Sequence, residues 1–157
     1  MIPAVFDSTA LLQAAANKKG PAGACLAFID EGRVKLFLSA VTFEEIRDLL
    51  NRPAIRKAFP KLSDEKVLGF LDHLMDKGHK IDDVPNVYRF DRDPKDAPYL
   101  NLAIATQAPF IVSRDNDLLD LMKDDEFRKA YPWLTILDPV AFLRHVRAEV
   151  ARELGYE

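Results

Sequence analysis

Apolar residues along this chain fall alternately into short unbroken runs and into helix-spaced stripes. Ile2–Phe6 is too short for a helix, is closed by Asp7, and reads as a buried strand. Ser8 follows as a helix cap before residues 10–16, and Gly20-Pro21 stops that helix. Residues 22–30 form a second helix closed by Gly32, and Val34–Leu38 the second strand. The stretch 39–50 is helical and must end before Pro53. Residues 53–59 and 63–76 make a helical pair. Leu68, Leu71 and Leu74 or Met75 lie on the apolar face of the second helix, and Gly78 is at its end. A strand candidate at 81–87 is interrupted by Pro85.

An acidic loop at 91–96 then leads into a helix at 97–107 and a strand at 110–113. A short helix from Asp117, a charged loop to Trp133 and a last strand at 134–137 follow. Asp138-Pro139 starts the final helix. Strand–helix alternation of this kind predicts one three-layer α/β domain over residues 1–157. Its central, mainly parallel sheet has about five strands and is flanked by helices.

Carboxylates recur at one place in this pattern, the carboxyl end of a strand or the start of the next helix, where open parallel sheets bind ligands. Asp7 ends the first strand. Glu45 borders the core-facing stripe of helix 39–50, set by Val41, Ile46, Leu49 and Leu50, while Glu44 faces water. Asp96 is in line with Leu100 and Ala103, and Asp93 precedes Pro94 in the loop. Asp115 and Asp117 follow the strand at 110–113. Each acid alone has a plainer reading: Asp7, Asp96 and Asp117 as helix caps, Glu45 as the partner of Thr42 in a capping box. Together they point further, because carboxylates gathered in one cleft repel one another unless a cation neutralises them. All-oxygen ligands suit Mg²⁺ or Mn²⁺.

Composition narrows the chemistry. A net charge of −3 argues against a module that holds nucleic acid by a basic surface alone. A metal enzyme escapes that objection because the ion supplies positive charge locally. His73, His79 and His145 are scattered, with no HExxH pattern, so a zinc site is not expected, and His145 reads as solvated. Neither a G-x-S-x-G elbow nor a Walker A sequence occurs, and the spacing of 115–117 lacks the glycine and terminal Glu of an EF-hand loop. The single cysteine, Cys25, lies in an apolar stretch and reads as a buried thiol, which fits a reducing cytoplasm. No signal peptide and no run of about 20 apolar residues is visible, so no membrane partner is expected.

Four blocks in this order resemble the PIN-domain ribonucleases, particularly the toxins of bacterial and archaeal toxin–antitoxin pairs (VapC-like, PIN_3-like subgroup). They are Val5-Phe6-Asp7-Ser8-Thr9-Ala10-Leu11-Leu12, residues 39–50 with Arg52-Pro53, Asp93-Pro94-Lys95-Asp96-Ala97-Pro98-Tyr99-Leu100, and Phe110-Ile111-Val112-Ser113-Arg114-Asp115-Asn116-Asp117-Leu118-Leu119. The last block is the most specific. The resemblance implies a metal-dependent endoribonuclease in which Asp7, Glu45, Asp96 and Asp115 are catalytic and hold Mg²⁺ or Mn²⁺, with Asp117 as an auxiliary metal acid. Ser8 and Ser113 take hydroxyl positions that are commonly Thr in the family. Thr9 stands where the family usually has Asn, which leaves open how the first carboxylate is oriented, and Ala97 replaces a frequent further acid. Arg114, Lys95 and Arg92 flank the acids as candidate phosphate contacts, beside the reading of solvated loop charges.

The implied partners are an RNA substrate, a cognate antitoxin protein and a second copy of the chain. Two other readings compete: a PIN-like module that binds RNA or protein without cutting, and a haloacid-dehalogenase-type phosphatase. The phosphatase chemistry wants a second Asp two residues after the first, where this chain has Thr9.

Overall fold

The computed structural model describes residues 1–156. Strand β1 (Ile2–Phe6) leads to α1 (Ser8–Ala16) and α2 (Pro21–Asp30). Strand β2 (Val34–Leu38) leads to α3 (Ala40–Leu50), α4 (Pro53–Ala58) and α5 (Asp64–Lys77). After β3 (His79–Lys80) come a 3-10 turn (Pro94–Asp96) and α6 (Ala97–Thr106). Strand β4 (Phe110–Val112) is followed by α7 (Asn116–Leu119), a second 3-10 turn (Asp120–Lys123) and α8 (Asp125–Ala130). Strand β5 (Thr135–Leu137) precedes α9 (Pro139–Glu153). The five strands form one parallel sheet in the order β3-β2-β1-β4-β5, as the alternating pattern predicts.

Alternation along each strand feeds two cores. Ala4, Phe6, Leu36, Leu38 and Val112 pack beneath α1, α2, α3, α5 and α9. Val5, Phe37, Ile111 and Ile136 point the other way, against α6, α7 and α8. The chain winds outward from β1 to β3, then returns to the other side of β1 as β4. The helix after β1 and the helix after β4 therefore cover opposite faces, and the carboxyl ends of these two strands flank a topological switch point. Among the described residues no helix is long and apolar enough to cross a membrane.

Several elements differ from expectation. The third strand is the two-residue His79–Lys80, not 81–87. Phe37 and Leu38 of β2 pair with it, and both of its side chains are exposed, so it leaves no hydrophobic pattern. Pro85 lacks an N–H, Asp83 adopts a left-handed φ of 55°, and the chain beyond is tied down instead by a side chain. Buried Asn101 accepts from the Val87 and Tyr88 backbone N–H groups (2.9 and 2.7 Å) and donates to Asn86 Oδ1 and the Tyr88 carbonyl. The loop expected before Trp133 contains α8, capped by Asp124 and anchored by buried Phe127.

On α5 the buried row is Val67, Leu71 and Leu74, whereas Leu68 and Met75 are exposed. On α3 it is Thr42, Ile46 and Leu50, with Val41 turned outward, and the capping box joins Ser39 to Thr42 rather than Thr42 to Glu45. Pro21 is not a stop for α1, which ends at Ala16, but the first residue of α2. His145 is half-buried, its ring 4.6 Å from that of Phe110. Cys25 is buried, as expected.

Candidate metal centre

The site begins with Asp7, whose backbone N–H closes the β1–β4 ladder on Val112 O (3.0 Å) and whose side chain caps α1. Asp7 is 1% exposed. Its Oδ1 accepts from Ala10 N (2.9 Å) and Thr9 Oγ1 (2.7 Å), and its Oδ2 from Ser113 Oγ (2.5 Å). Thr9 thus supplies the orienting hydrogen bond that its departure from Asn left open. The same hydroxyl accepts from Arg114 N (2.9 Å), tying α1 to the end of β4. Burial pushes Asp7 up to about 6, against the lowering effect of its hydrogen bonds with Ser113, Ala10 and Thr9.

Ser113 continues the chain of contacts. Its Oγ accepts from Asp115 N (2.9 Å), and Asp115 Oδ1 accepts from Asp117 N (2.8 Å), so Asp115 and not Asp117 caps α7. Asp93 caps the turn at Pro94–Asp96, accepting from Lys95 N (3.2 Å). That turn presents Asp96 inward, 5% exposed. Asp93, Asp96 and Asp115 each offer a carboxylate oxygen, and the three oxygens lie within 4.8 Å of one another.

Asp96 is pushed up to about 8, first by burial, then by its contact with Asp115 and the negative charges of Asp115, Asp93 and Asp7. Its Oδ2 is buried without a hydrogen-bond partner among the described residues. An orphaned buried oxygen costs roughly 1–3 kcal/mol and calls for a ligand. A divalent cation fits: the donors are all hard carboxylate oxygens, and it would remove both the orphan and the mutual repulsion.

Glu45 stands on the neighbouring wall. Ser8 Oγ donates to it at 3.5 Å, the limit of hydrogen bonding. Burial raises its pKa, opposed by Tyr99, Ser8 and the charges of Arg52 and Lys95. The buried Tyr99 hydroxyl lies beside Ser8 and Glu45 but outside ordinary hydrogen-bond geometry, which makes it a second group without a partner among the described residues.

The predicted residues therefore divide. Asp96 and Asp115 converge, Asp7 joins them through Ser113, and Glu45 borders them with Ser8. Asp117 pairs with Arg92 (2.5 Å), and Arg92 also reaches Asp120 (3.0 Å), so this arginine is engaged in ion pairs. Lys95 and Arg114 have exposed side chains. Sequence reasoning did not assign a role to Asp93 or Tyr99. The Asp-Pro-x-Asp spacing was the available signal for Asp93. For Tyr99 there was none, since burial beside Glu45 depends on how α3 and α6 meet.

Comparison with known proteins bears on the family and the fold. A family model described as PIN domain matches residues 3–117. Among solved structures, the crystal structure of VapBC2 from Rickettsia felis bound to a DNA fragment from their promoter is similar with a TM-score of 0.51. Its sequence identity is 15%, and the match covers 87% of this chain and 98% of that one. A search of curated proteins gives no match. With the family match extending over most of its length, this chain belongs to the PIN-domain family.

Proposed function

We propose that the chain is a divalent-metal-dependent endoribonuclease that hydrolyses RNA phosphodiester bonds, and the toxin of a toxin–antitoxin pair. The observation that carries this reading is the buried, unpartnered Asp96 Oδ2 within reach of Asp93 and Asp115. The toxin assignment draws on the likeness to VapBC2, and the cognate antitoxin would be this chain's protein partner. Asp93, Asp96 and Asp115 would hold Mg²⁺ or Mn²⁺, which would supply an acidified water and stabilisation of charge at phosphorus.

The chain's own residues set the geometry. Asp7 accepts three hydrogen bonds, leaving about one of its four lone-pair sites open. Ser113 fixes Asp115 through its backbone, and Ser8 donates to Glu45 at the rim. Asp117 orients Arg92 beside the centre. A module that binds RNA or protein without cutting would leave the cost of this acid cluster without a return in chemistry.

The test is a mixed RNA pool incubated with Mg²⁺ or Mn²⁺, with product ends sequenced. Cleavage leaving 5′-phosphate and 3′-hydroxyl ends, abolished by EDTA and by Asp96→Asn, is expected. Intact RNA, or cleavage that persists in EDTA and in the variant, overturns the reading.

A further inference from the structure

Glu45 stands apart from the three aspartates and is loosely held. Half-buried on α3, it has a single side-chain hydrogen bond among the described residues, from Ser8 at 3.5 Å. On its open side it lines a groove of about 480 Å³ with Val41, Glu44, Asp48, Arg52 and Lys95, whose charges are mixed. Arg52 and Lys95 act on it by charge, without an ion pair among the described residues. On its buried side stands Tyr99. This residue is 0% exposed, its ring belongs to the core that Val5, Phe37 and Ile111 form with α6, and its hydroxyl has no partner among the described residues. Asp7 is near enough for its charge to act on that hydroxyl, as the charge of Glu45 does. Phenylalanine would fill the same space without burying an unpaired O–H, so packing alone does not account for the oxygen.

We infer that Tyr99 is a positioning residue, whose hydroxyl is the donor that orients the Glu45 carboxylate toward the acid centre when a cation is held there. The inference rests on the reading that Asp93, Asp96 and Asp115 hold a divalent ion, and it adds a residue to that reading. The chemistry is that of an outer-shell donor, which fixes the direction of a ligating group from behind. A phenol is protonated at neutral pH, and a ring fixed in a core is rigid, whereas a glutamate on a helix surface turns freely. A turn of the Glu45 side chain closes the contact, and no ion pair opposes it. Ser8 on α1 and Tyr99 on α6 then hold the α3 carboxylate from two sides, occupying about two of its four lone-pair sites and leaving the rest for the centre.

The experiment is a double-mutant cycle read by Mn²⁺ affinity in calorimetric titration and by the melting temperature without metal, for wild type, Tyr99→Phe, Glu45→Gln and the double variant. Tyr99→Phe should weaken Mn²⁺ binding about tenfold, as loss of an outer-shell partner does. It should melt no lower than wild type without metal, because the hydroxyl it removes has no bond to lose. In the Glu45→Gln background, which keeps the three aspartates, the same substitution should change Mn²⁺ affinity little. Equal Mn²⁺ affinity in Tyr99→Phe and wild type overturns the inference while leaving the metal centre standing. So does an equal loss in both backgrounds, which would mean that Tyr99 does not act through Glu45. A lower metal-free melting temperature for Tyr99→Phe would make the hydroxyl structural and overturns it too. A wild type that does not bind Mn²⁺ removes the metal centre and the inference together, and the RNA-pool assay scores cleavage separately.

Discussion

Ser113 and Asp7, 106 positions apart, meet through a 2.5 Å hydrogen bond from Ser113 Oγ to Asp7 Oδ2 at the carboxyl ends of adjacent strands β4 and β1. The same oxygen of Ser113 accepts from Asp115 N, so one hydroxyl couples the first carboxylate to the backbone that carries the fourth. Ser113→Ala should leave a buried carboxylate oxygen and an N–H short of partners, destabilising the fold by roughly 1–3 kcal/mol. Urea unfolding would read that loss, and Mn²⁺ affinity should fall with it. Unchanged stability and affinity would remove Ser113 from the site.

Without metal, stability should fall as pH rises. Asp7 and Asp96 go from an ordinary 3.8 to about 6 and about 8 in the folded chain, so between those values the folded form holds protons that the unfolded form has lost. Their contribution is most favourable below about pH 4 and is lost by about pH 6 for Asp7 and about pH 8 for Asp96. For Asp7 alone the change is roughly 2–3 kcal/mol. A divalent ion needs the deprotonated ligands, so its binding should strengthen over the same interval. Melts from pH 5 to 9 with and without Mn²⁺ would show opposed trends, and parallel ones would contradict the cluster's electrostatics.

Asn101 makes four hydrogen bonds to residues 86–88 and so fastens the irregular segment that leads to Asp93. Asn101→Leu should cost roughly 2 kcal/mol through the unpaired backbone groups. Limited proteolysis should then open residues 81–92 first. Cleavage elsewhere, with this segment still protected, would show that Asn101 is not its anchor.

Gly78 closes α5 where β3 begins. A Cβ there would stand 2.4 Å from Leu38 Cδ1 and 2.7 Å from the Leu74 carbonyl oxygen. Gly78→Ala should therefore destabilise by about 1–3 kcal/mol by overpacking, with its φ of −73° no obstacle to alanine. Wild-type stability in thermal unfolding would mean that β2 and α5 separate more readily than their packing indicates.

How much was legible follows the burial. Ile2–Phe6, Val34–Leu38 (Lys35 apart), Phe110–Val112 and Ile136 are apolar because the sheet is covered on both faces, and such strands announce themselves. His79–Lys80 is a two-residue edge strand with both side chains exposed, and nothing in its residue types could reveal it. In α3 the spacing was read from Val41, yet the Ser39–Thr42 cap rotates the helix so that Thr42 is buried and Val41 faces the groove. Asp7, Asp96 and Asp115 were legible because each follows or precedes a clear element. Asp93 enters the cluster only through the tight turn at Pro94, and Tyr99 only through the meeting of α3 with α6.

The most direct test of the cation-centred account is the melting temperature of wild type and Asp96→Asn at pH 8, each with and without millimolar Mn²⁺. Asp96→Asn, relieved of a repelled carboxylate, should melt higher than wild type without metal and gain little from Mn²⁺, whereas wild type should gain several degrees. A wild type indifferent to Mn²⁺, or a variant that responds to it equally, would contradict the claim that these carboxylates are gathered to hold a cation.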